Sequence, residues 1–299
     1  MGRRQKAGQA VQLGDTTHIG GYDLTRAPMT AADIPRLHEL SVSVSWPHRA
    51  ADWAMLLGLG RGWVARDEIG RILGSAMWFG YGEGLASIGM VITSPRLQEN
   101  GAGNWLMRQV LDETRGRARM LNATKAAFRL YVALRFRTLA SVHQHNGIAG
   151  PVPDFPAHAR PMTAADHAGV VALDTAALGA PRPGVLGAVL EAAEAGSVIE
   201  RDGRLAGFAL IRRFGRGRVI GPVVAETDAD AMALCGPLIA PHRGSFLRID
   251  TREPAGDFRR FLVAAGIADY DTVQRMALEE LPAPQGRGRT YALASQALG

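Results

Sequence analysis

Residues 121–136, Leu-Asn-Ala-Thr-Lys-Ala-Ala-Phe-Arg-Leu-Tyr-Val-Ala-Leu-Arg-Phe, hold the side chain with the most chemistry to offer, Tyr131, seven positions after Thr124. A phenol held beside a leaving anion can give it a proton, which is general-acid work. Upstream lies a second signal, Pro95-Arg96-Leu97-Gln98-Glu99-Asn100-Gly101-Ala102-Gly103. Its glycines let a backbone come close to a ligand. Where such a turn opens a helix, the first N–H groups lack partners and the dipole end is positive. That arrangement cradles a phosphate or pyrophosphate.

Both segments need a strand to enter and a helix to leave. Residues 85–92 (LASIGMVI) form an apolar, β-branched run closed by Thr93-Ser94-Pro95, which predicts a strand and a turn. After Gly103 the apolar Leu106, Met107, Val110 and Leu111 fall on one helical face. A strand over 119–123 and a helix over 125–134 then carry Thr124 and Tyr131. A dinucleotide-binding turn is excluded because the third glycine and the later acidic residue are missing, and a phosphate-loop NTPase because no Gly-Lys-Ser/Thr follows. There is no Gly-x-Ser-x-Gly elbow for a serine hydrolase. His143 and His145 share a strand face, but no Cys or third His nearby completes a metal site.

In this order, the two segments resemble the acyl-CoA half of the GNAT acetyltransferase superfamily. The family carries Gln or Arg, two residues, Gly, one residue, then Gly or Ala; Gln98, Gly101 and Gly103 fit, while Glu99 stands where glycine is common. The resemblance implies an α/β mixed-sheet fold and acetyl-CoA as cosubstrate, with no metal. It places Val91, Ile92, Thr93, Gln98, Glu99, Asn100, Gly101, Ala102, Gly103, Asn104, Thr124 and Tyr131 at the cofactor. Thr124 would reach the pantetheine arm and Tyr131 would protonate the leaving thiolate. The family often has glycine before the final Phe of the motif; here Arg135 takes that place, and Arg disfavours the positive φ of a helix C-cap. For the general base, the candidates are Glu83, in the turn before the cofactor strand, and Asp250, a polar residue ending an apolar strand in the second half.

The second half repeats the first. Pro28-Met29-Thr30-Ala31-Ala32-Asp33 recurs letter for letter as Pro161-Met162-Thr163-Ala164-Ala165-Asp166. Gly70-Arg71-Ile72-Leu73-Gly74 recurs loosely as Gly203-Arg204-Leu205-Ala206-Gly207 at the same separation. Later the register drifts, with 130–133 matching 261–264. The chain thus reads as two copies of one α/β unit, a tandem GNAT arrangement with a degenerate second copy. In that copy Ala225-Glu226-Thr227-Asp228-Ala229-Asp230 replaces the glycine cradle, and Leu262 stands in place of Tyr131. Carboxylates there would repel a pyrophosphate, so cofactor and general acid are expected in the first copy alone. The expected organisation is a flexible basic tail (1–21), a catalytic unit (22–146), a Pro/Gly linker (147–159), the degenerate unit walling the acceptor site (160–281) and a C-terminal tail (282–299).

Composition bounds the rest. A chain of 299 residues with 47% hydrophobic and 21% charged residues is globular and long enough for two cores. A single cysteine, Cys235, permits no internal disulfide and suits a reducing cytoplasm. No apolar run reaches membrane-spanning length, and the start, Met1-Gly2-Arg3-Arg4-Gln5-Lys6, is expected to be neither a secretory signal nor a myristoylation site. The net charge of +6 is spread over scattered arginines without an aromatic-and-basic stripe, which argues against nucleic acid. The expected function is acetyl transfer from acetyl-CoA to the amine of a small molecule, by a cytoplasmic monomer or homodimer without membrane or nucleic-acid partners. A non-catalytic acyl-CoA-binding or scaffold protein, and a protein N-acetyltransferase, are the alternatives.

Overall fold

The hexapeptide that occurs twice does the same local work twice. The Asp33 carboxylate accepts the backbone N–H of Thr30 at 2.9 Å, and Asp166 accepts that of Thr163 at 2.8 Å. Each is a capping box that starts a short 3₁₀ turn leading into a helix.

The computed structural model describes residues 15–299. The first unit runs β1 (Thr16–Ile19), β2 (Tyr22–Pro28), α1 (Ile34–Ser43), α2 (Ala50–Leu59), β3 (Arg61–Arg66), β4 (Ile72–Tyr81), β5 (Leu85–Thr93), α3 (Ala102–Glu113), β6 (Ala118–Ala123), α4 (Phe128–Ala133) and β7 (Arg137–Ile148). The second runs β8 (Arg160–Pro161), α5 (His167–Leu178), α6 (Pro183–Ala192), β9 (Ala193–Arg201), β10 (Arg204–Phe214), β11 (Gly217–Ala225), α7 (Asp228–Ile239), β12 (Phe246–Thr251), α8 (Asp257–Ala264), β13 (Ala268–Ala277) and β14 (Arg289–Ala292).

All the strands join one mixed sheet in the order β1-β2-β3-β4-β5-β6-β13-β7-β12-β14-β11-β10-β9-β8. The order is not that of two sheets laid side by side. β13, from the second unit, lies between β6 and β7 of the first, and β7 pairs onward with β12. The units are therefore interlocked through their last strands. One apolar core also crosses between them: Leu37 and Trp53 of the first unit belong to the same buried cluster as Val170, Leu186 and Phe208 of the second.

Three sequence expectations need correction. Residues 16–19 are not tail: β1 folds back on β2 through Gly20 and Gly21, both at positive φ. Only residues 1–14 of the expected tail lie outside the described residues. The linker does not begin at 147, because β7 continues to Ile148 and pairs there with Phe246. Most consequentially, the expected tail 282–299 is exposed as a run only over residues 283–287, and its remainder enters the fold. β14 is inserted between β11 and β12, and Tyr291, Ala292, Leu293 and Leu298 are fully buried. Small and apolar side chains let this segment enter the interior, where its backbone N–H groups find sheet partners.

Candidate active site

β5 and β6 are parallel partners only where residues 85–88 face residues 118–121; beyond that they splay apart. A bulge lies at the point of divergence. Met90 has φ 52°, the register against β4 shifts there, and Ser75 Oγ donates to the Met90 carbonyl at 2.8 Å. The splay frees one edge of residues 89–93 from its neighbour. α3 starts beside that edge. Its N-cap is Gly101 at φ 95°, a left-handed conformation, and no side chain caps the helix. A Cβ on Gly101 would meet nothing within 4 Å, whereas one on Gly103 would lie 3.2 Å from Leu130. Gly101 thus serves the turn, and Gly103 serves the close approach of α3 to α4. Leu97, 1% exposed, anchors the loop, while Gln98, Glu99 and Asn100 are exposed. Glu99 takes φ 67° where glycine would be unstrained.

Tyr131 sits on α4, buried, with its ring 5.9 Å from that of Phe136. Burial pushes its phenol well above the ordinary value, so it is protonated at neutral pH. Arg135, despite its side chain, does take the left-handed conformation of a helix C-cap (φ 69°). The N–H of Phe136 then closes on the Tyr131 carbonyl at 2.9 Å. In α8 the same closure runs from Ile267 N–H to the Leu262 carbonyl, with Gly266 at φ 85°. Leu262 is therefore the structural counterpart of Tyr131.

Tyr131 and Thr124 line a cavity of about 290 Å³ together with Met90, Val91 and Asn122. The other walls were not foreseen from sequence. Trp46 and His48 come from the α1–α2 connection, Gln144 and Asn146 from β7, Phe214 and Arg216 from the β10–β11 hairpin, Phe246 and Arg248 from β12, Tyr270 and Asp271 from β13, and Ser295, Gln296 and Ala297 from the segment after β14. Close fit explains the last group: a Cβ on Gly89 would lie 2.7 Å from that of Ala297, and Ser87 Oγ donates to the Ala297 carbonyl at 2.8 Å. The Asn122 amide donates to the Gln296 carbonyl at 2.7 Å. No spacing rule connects these residues, since they meet only through the strand exchange.

Of the remaining expected cofactor residues, Ile92 and Ala102 point their side chains into the core (2% and 0% exposed), leaving only their backbone for a ligand. Thr93 packs toward Gly103, and the Asn104 side chain accepts from Arg108 at 3.2 Å. Neither expected base reaches the cavity with a free oxygen. Glu83 is exposed in the β4–β5 turn, at the end of β5 opposite the splay, because a hairpin turn faces solvent. Asp250 is buried, with both oxygens held by Arg248 at 2.9 and 3.0 Å and one also by Gln296 at 3.1 Å. It fixes Arg248 in place. Among the groups lining the cavity, those able to accept a proton are His48 and Asp271. His48 Nδ1 is buried with no hydrogen-bond partner among the described residues. Burial, then Arg248 and Arg212 against the opposing Asp52, push its pKa down to about 4, so the ring is neutral at pH 7. His145 accepts from Arg259 and faces the Ile267 carbonyl, a satisfied structural histidine. No group that could hold a metal occurs among the described residues.

The second unit has the same splay between β11 and β12, but β14 occupies it and hydrogen-bonds to both strands. The start of α7 is likewise taken. Thr227 Oγ1 caps the Asp230 N–H at 3.1 Å, and Asp228 accepts from Tyr291 Oη at 2.9 Å and Phe258 N–H at 3.0 Å.

Comparison with known proteins gives the family of both units. Residues 31–136 match the model of the acetyltransferase (GNAT) family, and residues 170–292 match that of an acetyltransferase (GNAT) domain. The chain belongs to the GNAT superfamily and carries two of its units in tandem. Such domains define an acyltransferase family that uses acetyl-CoA. Among solved structures, a putative acetyltransferase from Pyrococcus horikoshii superposes with a TM-score of 0.75 at 17% identity, covering 100% of both chains. A tandem GNAT protein from the clavulanic acid biosynthesis pathway gives 0.60 at 15% identity over 88% of this chain and 100% of that one. A GCN5-related N-acetyltransferase from Sphaerobacter thermophilus gives 0.59 at 15% over 88% and 97%. At these identities the likeness concerns the fold. No curated protein is significantly similar in sequence. No helix among the described residues is long and apolar enough to cross a membrane.

Proposed function

We propose that this protein is an acetyl-CoA-dependent N-acetyltransferase acting on the amine of a small molecule, with the first unit holding acetyl-CoA and both units enclosing the acceptor. The observation that carries the reading is a convergence: the splayed β5 edge and Tyr131 line one cavity whose opposite wall is the second unit. The residues present fit the cosubstrate. The uncapped start of α3, with Gly101 open on its outer side, suits a pyrophosphate. The free edge of Met90 and Val91 and the side chain of Thr124 suit a pantetheine arm. Acetyl-CoA, when bound, supplies an acetyl group on a thioester.

The protein's own contribution is positioning, exclusion of water and one proton. Tyr131 keeps its proton at neutral pH because burial disfavours the phenolate. The same burial destabilises a thiolate placed beside it, so donation from Oη is most valuable when sulfur begins to carry charge. The enclosing second unit narrows the cavity, which favours a small acceptor over a polypeptide. The test is an amine panel with thiol release and product mass as readouts. Amine-dependent thiol release with an N-acetyl product is the expected result. Tight acetyl-CoA binding without transfer to any amine would leave a binding protein instead.

A further inference from the structure

The cavity contains an imbalance of charge that the transfer reaction alone does not use. Arg248 is 9% exposed and reaches the cavity; its Nε and Nη2 hold Asp250, while Nη1 donates to no group among the described residues. Arg216 lies over the Phe246 ring at 5.3 Å and makes no ion pair among the described residues. Behind them Arg212, 3% exposed, donates to the carbonyls of Ala294 and Arg213 and has no carboxylate partner among the described residues. The lining's own carboxylate, Asp271, faces the solvent side, 3.9 Å from the exposed Lys125. The wall formed by β10, β11 and β12 is therefore positive, and the rings of Trp46, Phe214 and Phe246 border it, with Arg212 and Arg248 over Phe214 at 5.4 and 5.5 Å.

We infer that the acceptor is an amine carrying a carboxylate at its far end, received by Arg216 and the free Nη1 of Arg248, with an apolar or aromatic spacer between the two groups. This rests on the acetyl-transfer reading above and names the acceptor class for it. Three features converge on that class. A guanidinium with unused donors matches a carboxylate. The aromatic faces match an apolar spacer. The positive wall also disfavours an ammonium ion, so the acceptor's amine is more readily present as the free base. No carboxylate is then needed to deprotonate an ammonium, which agrees with neither Glu83 nor Asp250 offering a free oxygen there; the proton that the nitrogen loses as the C–N bond forms and the C–S bond breaks replaces the one Tyr131 gives to sulfur.

The experiment uses matched pairs, 4-(aminomethyl)benzoate with 4-(aminomethyl)benzamide and 5-aminopentanoate with 5-aminopentanamide. Acetylation is followed by thiol release and mass, and binding in the presence of CoA by calorimetry. The acid of a pair is expected to exceed its amide by about tenfold or more in kcat/KM and in affinity, the effect of one charge-assisted contact. Arg216→Gln, an exposed change, should shrink that gap several-fold by lowering kcat/KM and affinity for the acid much more than for the amide. Amides that bind and react as well as their acids overturn the inference while leaving acetyl transfer standing, as does a gap that Arg216→Gln leaves intact. If none of the four compounds binds or reacts while a neutral amine is acetylated, the inference again falls alone. If no amine of any kind is acetylated, the functional reading falls and takes the inference with it.

Discussion

Acidification should unfold this protein partly through one imidazole. His48 packs its ring 5.3 Å from Phe214, 5.6 Å from Trp46 and 6.3 Å from Trp53, and its Nδ1 is sealed from water without a partner among the described residues. Its pKa falls from 6.5 to about 4 in the folded chain, first by burial and then by Arg248. The unfolded chain therefore binds this proton before the folded one does. The associated stability is fully present above pH 6.5 and is lost as pH falls through 4. At about 1.4 kcal/mol per pKa unit, the loss reaches at most about 2 kcal/mol at pH 5 and about 3 kcal/mol at pH 4. The ring is only partly covered as a whole, so these figures are ceilings. Urea unfolding of the parent and of His48→Phe, at pH 7.5, 5.0 and 4.0, isolates the effect, because other titrating groups cancel in the difference. The variant keeps a ring among its aromatic neighbours and should lose less stability on acidification. A parallel NMR titration should find the His48 ring neutral at pH 6. Parent and variant losing equal stability, or a ring that titrates near 6.5, would refute the reasoning.

Three further outcomes are expected. Acetyl-CoA should raise the melting temperature by linkage. Gly101→Glu, which strains a backbone at φ 95° and sets a negative charge at the start of α3, should abolish that shift relative to the variant's own baseline; an undiminished shift places the cofactor elsewhere. Calorimetry should give one CoA per chain, because β14 fills the corresponding splay of the second unit; a stoichiometry near two contradicts that assignment. Finally, Arg182 and Asp174, 3% and 2% exposed and joined at 2.7 and 2.8 Å, tie α5 to the carbonyls of Leu298 and Gly299. Asp174→Ala, leaving a buried guanidinium without its carboxylate, should cost about 3–5 kcal/mol in denaturant unfolding, and a loss under about 1 kcal/mol would mean that water reaches Arg182.

What was legible in the sequence was local. The apolar run at 85–92, the helical spacing after Gly103 and the strand and helix expected over 119–134 place β5, α3, β6 and α4 close to where they lie. The glycines at 101 and 103 and the position of Tyr131 are likewise short-range signals. The exchange of β13 and β7 was not legible, since neither strand's pattern says which neighbour it pairs with across more than a hundred residues. For the same reason the cavity wall of Phe214, Arg216, Phe246 and Arg248 was invisible. The Pro/Gly-rich approach to Arg289 is exposed as its composition suggests, but nothing in it announces that the small residues after it are buried, with Ala297 against Gly89. Glu83 lies next to β5 in sequence. Chain proximity misleads there, because a strand of nine residues carries its two ends to opposite edges of the sheet along the strand direction.

The most direct test of acetyl transfer through this site is the steady-state rate of Tyr131→Phe on an acceptor that the parent acetylates. The ring and its contact with Phe136 persist, and only Oη is lost. Removing a positioned general acid typically costs about 10²–10⁴ in rate. The loss should fall on kcat, with acetyl-CoA affinity by calorimetry nearly unchanged, since the thiolate exists only along the reaction path. Turnover within a few-fold of the parent would contradict the assignment and leave Tyr131 as a packing residue.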